Sequence, residues 1–196
     1  MSSAVAKRTQ PLTDEQLAAR ARGGDRAAFA ALYRRHVGSV YGRITRLLGP
    51  TSDREDVTQE VFSRLHRALP GFRGDCRFTT FLYRVVASAV HDHLRARKRR
   101  PLELRDDLDT WLPAATSAEQ RLVARHDLEL LFRGMQRMAA RKRIAFWLTR
   151  IEGFTCAEAG DIVGAPGPTV KQRARAAERE LRRYLAKHTG GHYGQS

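Results

Sequence analysis

Five residues near the C-terminus have the types and spacing to read DNA. Thr169, Lys171, Gln172, Arg173 and Arg175 open a segment, Pro168 to about Lys187, in which Val170, Ala174, Ala177, Leu181 and Leu185 recur at helical spacing. The five fall off that apolar stripe. Gln pairs with adenine and Arg with guanine through two hydrogen bonds each, while Lys suits phosphates. From Lys171 to Lys187 seven basic residues outnumber Glu178 and Glu180. A short helix ending at Val163 precedes them, opened by a Thr155/Glu158 capping box, and Gly164-Ala165-Pro166-Gly167 makes the turn. This is the layout of a helix-turn-helix, whose second helix enters the major groove by its N-terminal residues. A solvated helix on a small bundle would show the same pattern.

A second basic concentration lies in the segment from Thr79 to about Arg99. Leu82, Val85, Val86 and Ala89 mark its inward face, and Phe81, Arg84, Ser88, His91 and Arg95 fall on another. The preceding loop adds Phe72, Arg73, Arg77 and Phe78. Aromatic rings interleaved with cations suit single-stranded or distorted DNA, where bases stack and phosphates are neutralised. For Phe72, Phe78 and Phe81 a plain core role is the alternative. His91-Asp92-His93 invites a metal-dependent phosphohydrolase reading, but adjacent helical side chains point about 100° apart and cannot converge on one ion. No catalytic residue, metal or cofactor is expected. Cys76 and Cys156 show no activating neighbour.

The elements that carry these residues read as helices throughout. Asp14 to Arg22 and Arg26 to Leu48 are separated by Gly23-Gly24-Asp25. Ser52 with Glu55 predicts a capping box for a helix bearing Val57, Val61, Leu65 and Leu69. Leu102 to Gln120 is acidic, with Glu103, Asp106, Asp107, Asp109 and Glu119, and reads as a linker. Beyond it, Arg121 to Met138 carries Leu128, Leu131, Met135 and Met138 on one face, and Arg141 to Glu152 is the next helix. The expected fold is all-α: two small helical domains joined by an acidic linker, the C-terminal one a helix-turn-helix. Their bounds are 12–100, 101–119 and 120–188, flanked by disordered ends at 1–11 and 189–196.

Composition agrees with a polyanionic partner. The 196 residues carry 36 Lys plus Arg against 21 Asp plus Glu, a formal +15. Nucleic acid neutralises such an excess and releases counterions. A basic membrane-surface protein and a ribosomal or histone-like protein also fit the charge. No segment approaches the ~20 apolar residues needed to span a bilayer, and no signal peptide is visible, so a cytoplasmic location without membrane insertion is expected.

Specific motifs narrow this. Residues 53–62 (Asp-Arg-Glu-Asp-Val-Thr-Gln-Glu-Val-Phe), 69–74 (Leu-Pro-Gly-Phe-Arg-Gly) and 78–84 (Phe-Thr-Thr-Phe-Leu-Tyr-Arg) resemble the second conserved region of extracytoplasmic-function (ECF) sigma factors of the sigma-70 family. Residues 21–29 and 32–35 also match that region, and 151–155 with 169–173 resemble the fourth. The resemblance implies a sigma factor that binds core RNA polymerase, at its β′ clamp and β flap, and directs promoter recognition, DNA melting and transcription initiation. It places Asp56, Gln59, Glu60 and Phe62 on the polymerase. The helical faces agree for the first three, which lie off the Val57/Val61/Leu65 stripe. It gives the −10 promoter element to Phe72, Arg77, Phe78, Phe81, Arg84, Ser88, His91 and Arg95. The −35 element goes to Thr169, Lys171, Gln172, Arg173 and Arg175. Many relatives are held inactive by an anti-sigma factor, which the resemblance adds as a candidate partner. Members usually carry Trp near Phe81, and a capping Ser where Pro166 stands. A stand-alone helix-turn-helix regulator is the rival reading, although no dimerisation helix supports it.

Overall fold

The computed structural model describes residues 12–97 and 117–188. The expected disordered ends and the connector through residue 116 lie outside the described residues. All regular elements described are helical: α1 (Asp14–Arg22), α2 (Arg26–Leu48), α3 (Arg54–Ala68), α4 (Phe78–Ala96), α5 (Ala118–Gln136), α6 (Ala140–Phe146), α7 (Cys156–Val163) and α8 (Gly167–His188), with a 3-10 turn at Leu69–Gly71. None is long and apolar enough to cross a membrane.

Local chemistry accounts for most boundaries. The Thr155 hydroxyl accepts from the Glu158 N–H at 3.2 Å and the Glu158 carboxylate accepts from the Thr155 N–H at 2.9 Å, the expected capping box. Thr13 with Gln16 and Ser117 with Gln120 form two more. The second of these starts α5 at Ala118, slightly earlier than the sequence suggests. Gly164 ends α7 in the left-handed region, φ 64°, where glycine meets no Cβ penalty.

Two expectations are corrected. Ser52 and Glu55 do not cap α3: the N-cap is Asp53, with no side-chain capping bond. Tertiary pairing takes its carboxylate instead, since Oδ2 lies 2.5 Å from Arg97 Nη1 and 3.1 Å from His93 Nε2, both at the far end of α4. The segment after Ala140 is not one regular helix to Glu152 either. It turns π-helical over Trp147–Ile151, and Gly153 then takes φ 80°.

The apolar stripes fill the interior as read. Val57, Val61, Leu65 and Leu69 are buried, as are Leu82, Val85, Val86 and Ala89, and Val170, Ala174, Ala177 and Leu181. The two halves, α1–α4 and α5–α8, share their principal core. Residues of α2, α3 and α4 join Ile144, Ala145, Trp147, Leu148, Ile162 and Val170 in one buried cluster. A smaller cluster of Phe132, Met135, Met138, Ala177 and Leu181 ties α5 to α8, with Leu128 and Leu131 packed beside it.

Candidate nucleic-acid interface

In the first half α3 and α4 set the surfaces. The three-to-four-residue rhythm that buries Val57, Val61 and Leu65 turns Asp56, Gln59 and Glu60 outward. Asp56 and Gln59 are exposed, and Glu60 accepts from Arg64 Nε at 2.6 Å and from Arg67 at 3.4 Å. Arg64 also reaches Asp92 at 2.7 Å and Ser88 at 3.3 Å, bracing α4 against α3. That Arg64 bond is the main reason the Asp92 carboxyl sits below its ordinary range. Phe62 behaves differently from its three companions. It is 4% exposed, and its ring meets Tyr33 at 4.6 Å, edge on; Tyr33 is the exposed aromatic there. Sequence reading did not single out Tyr33, although it lies within the 32–35 motif.

The aromatic group divides likewise. Phe78 is fully buried and Phe72 is 8% exposed, so both are core residues here. Phe81 is half-buried, stacked on Phe72 with centroids 4.8 Å apart. The loop is held from α1, where Arg22 donates to the Phe72 carbonyl and Glu15 accepts from the Phe78 N–H, each at 3.3 Å. Arg77, Arg84, Ser88 and Arg95 are exposed and His91 is half-buried. The His91-Asp92-His93 run diverges: Asp92 turns to Arg64, His93 to Asp53.

His93 lies 3.1 Å from Asp53 without hydrogen-bond alignment. Burial, reinforced by the charge of Arg97, lowers its pKa despite Asp53. A His held neutral in the fold binds fewer protons than in the unfolded chain. Stability is therefore present above the unfolded value near 6.5 and is lost as the pH falls through that value towards the folded one. Urea midpoints at pH 7.5 and 5.5 are expected to fall more for the wild type than for His93→Gln; equal losses would remove His93 as the cause.

In the second half, the turn after α7 launches α8. The Pro166 carbonyl accepts from the Thr169 and Val170 N–H groups at 2.9 and 3.1 Å, and Pro168 sits in the first turn, where a missing N–H costs nothing. Lys171, Gln172 and Arg175 are exposed, and Thr169 is half-buried. Arg173 turns towards the first half. It lines a cavity of about 360 Å3 together with Arg84, Ser88 and His91 of α4 and Arg141 of α6.

Glu152, given no functional role of its own by the sequence, is a junction residue. Its carboxylate accepts from Tyr83 Oη at 2.5 Å and Trp147 Nε1 at 3.1 Å, and lies 3.7 Å from Arg43 and 3.5 Å from Arg46. Burial, with the Glu152 bond, raises the Tyr83 phenol above its ordinary value. Arg143 was missed as well, 2% exposed and donating to the Leu47 carbonyl of α2 at 3.3 Å. Its signal was available: it lies four residues before Trp147, on the same helical face.

Comparison with known proteins places these surfaces in a family. The sigma-70 region 2 family matches residues 32–100, and the sigma-like domain of the response regulator PhyR matches 135–183. The ECF RNA polymerase sigma-E factor of Escherichia coli (strain K12) is 30% identical over 175 residues, covering 84% of this chain and 90% of its own. The RNA polymerase sigma-H factor of Pseudomonas aeruginosa is 31% identical over 172 residues, 82% of this chain and 87% of its own. Among solved structures, CnrH in complex with the cytosolic domain of CnrY aligns at TM-score 0.62 and 26% identity, covering 89% of this chain and 98% of that one. The sigma factor RpoE from Bartonella quintana, in complex with the anti-sigma factor NepR, shares the fold at TM-score 0.61 and 16% identity, covering 82% and 98%.

Proposed function

Because the chain belongs to the ECF sigma factors of the sigma-70 family, which direct transcription initiation, we propose a division of labour among its helical surfaces. The outward ridge of α3, Asp56, Gln59 and Glu60, docks on the β′ clamp of core RNA polymerase. Phe62 acts from beneath, holding the exposed Tyr33 in place. The second half meets the β flap.

The −10 element falls to Phe81, Arg77, Arg84, Ser88, His91 and Arg95, with Phe72 and Phe78 supporting Phe81 from the core. Cations there neutralise phosphates, and Phe81 offers a ring to an unstacked base. The first turns of α8, with Thr169, Lys171, Gln172, Arg173 and Arg175, read the −35 element as duplex in a helix-turn-helix with α7. These two halves are the functional domains, 12–100 and 120–188, with residues 101–119 as the acidic connector, whose last residues open α5. An anti-sigma partner that covers these surfaces fits the company of CnrH and RpoE, each solved with a binding protein.

One observation carries the reading. One small chain carries an acidic ridge on α3 and basic residues on α4 and α8, surfaces of opposite charge that suit different partners. The test is transcription from a cognate promoter by core polymerase with this chain added. Asp56→Lys with Glu60→Lys reverses the ridge where its partner is expected to be basic, and like charges across an interface are strongly unfavourable. Core binding should weaken by about tenfold or more. The double variant should keep its helical circular dichroism, because both sites face solvent. Unchanged association in a pull-down would overturn the docking assignment.

A further inference from the structure

Helices α4, α5, α6 and α8 surround a cavity of about 1070 Å3 at the seam between the halves. Among the described residues, six arginines and His91 line it, and no carboxylate does. Two of the arginines are answered nearby: Arg97 by Asp53 at 2.5 Å and Arg133 by Glu129 at 3.6 Å. Arg137 lies over the Tyr184 ring, 5.7 Å from its centroid. Arg143 is the exceptional one. It is 2% exposed, and its Nε has no hydrogen-bond partner among the described residues, nor has the buried Nε2 of Gln136 beside it. Burial and the charge of Arg97 together push Arg143 down to about 10. Two buried donors without acceptors, in a pocket of cations, carry a desolvation cost that a bound anion would relieve.

We propose that this cavity binds a small oligophosphate anion through Arg95, Arg137, Arg141, Arg143 and Gln136, and that its occupancy holds the two halves together. Guanidinium forks match phosphate oxygens two bonds at a time, and the amide of Gln136 adds a neutral donor. Both halves line the site, so a ligand there bridges them. Bridging opposes promoter binding. Elements at −10 and −35 lie roughly 25 base pairs apart, about 85 Å along B-form duplex at 3.4 Å per pair. Here Arg84, Ser88, His91 and Arg173 line one cavity of about 360 Å3. The halves must separate to read both elements. This second step rests on the promoter assignment above, whereas anion binding itself does not.

The test uses the full chain and tripolyphosphate at low ionic strength, followed by calorimetry and thermal unfolding. One equivalent should bind and raise the unfolding midpoint. Arg141→Ser and Gln136→Leu, both combined, should weaken binding about tenfold or more, while Arg179→Ser on the outer face of α8 should not. Arg143→Met should fold as well as the wild type, since it replaces a buried charge with an apolar chain, and should lose the response to anion. Equal weakening in all variants would reduce the effect to charge screening and overturn the site. Displacement by a short oligothymidylate at equal phosphate concentration would reassign the cavity to nucleic acid. Binding that appears only once Glu103, Asp106, Asp107 and Asp109 are neutralised would show the cavity taken by the chain itself and overturn the proposal. Spin labels on the native Cys76 and Cys156, one in each half, read the coupling. Tripolyphosphate should narrow their distance distribution, and binding without narrowing would overturn the bridging step. Failed transcription with anion binding intact would count against the promoter reading alone.

Discussion

Trp147→Ala is expected to destabilise the folded chain by about 3–5 kcal/mol, the range for emptying a fully buried aromatic site. Trp147 is 0% exposed and heads the buried side chains by volume. It lies in the cluster shared by both halves, with the Tyr83 ring of α4 at 5.7 Å, so the cavity would open where the halves meet. The indole N–H also donates to Glu152 at 3.1 Å. Glu152 would keep Tyr83 and the two arginines, so the lost hydrogen bond is the smaller part, about 1 kcal/mol. Trp147→Phe separates the two contributions by keeping much of the ring and dropping the donor. For a chain of this size each kcal/mol moves the thermal midpoint by about 2–4 °C, so the alanine variant should melt roughly 6–20 °C below the wild type. A drop of under 3 °C would mean that the shared core does not exist in solution as described.

The second large effect concerns a single hydrogen atom. Gly160→Ala places a Cβ 2.4 Å from the Ala165 carbonyl oxygen, a backbone atom that cannot rotate away. The same Gly160 carbonyl accepts the N–H groups of Gly164 and Ala165, so the turn between α7 and α8 is folded tightly back on this residue. Two effects compete. Alanine in a helix interior gains about 1 kcal/mol over glycine, while overpacking against fixed structure costs about 1–3 kcal/mol or more. At 2.4 Å from backbone the clash wins, and the variant should lose stability and reorient the start of α8. Gly38→Ala in α2 is the control, because nothing lies within 4 Å of its Cβ position. There the propensity gain stands alone and the midpoint should rise. Urea denaturation of the two variants side by side checks the opposite signs. If Gly160→Ala were also stabilising, the α7–α8 turn would be looser than described.

Much of the architecture was legible because its signals are local. The stripe Val57/Val61/Leu65/Leu69 and the stripe Val170/Ala174/Ala177/Leu181 each announce a helix and its buried face within a few turns. The Thr155/Glu158 box marks a helix start through residues three apart. Ser52/Glu55 shows where this fails. The pattern is the same, but Asp53 is drawn into pairs with Arg97 and His93, forty residues away, and the cap does not form. The aromatic residues were ambiguous for a related reason. Phe72, Phe78 and Phe81 look alike in the chain, and only packing against α1 and one another leaves Phe81 half open while Phe78 is sealed.

The amino-acid order by itself determined the helices, their apolar faces and the chemistry each polar face presents, because helical period and capping involve neighbours within one or two turns. It also determined the family, through the motifs at 53–62 and 78–84. Tertiary structure alone decided which faces meet. It set α6 and α7 against α4, buried Arg143 beneath α2, gathered Tyr83, Trp147, Arg43 and Arg46 around Glu152, and turned Arg173 towards Arg84. A period states that a face is apolar or charged; it does not name the surface that will cover it. That choice depends on shape and charge matched between segments far apart in the chain, which only the folded molecule brings together.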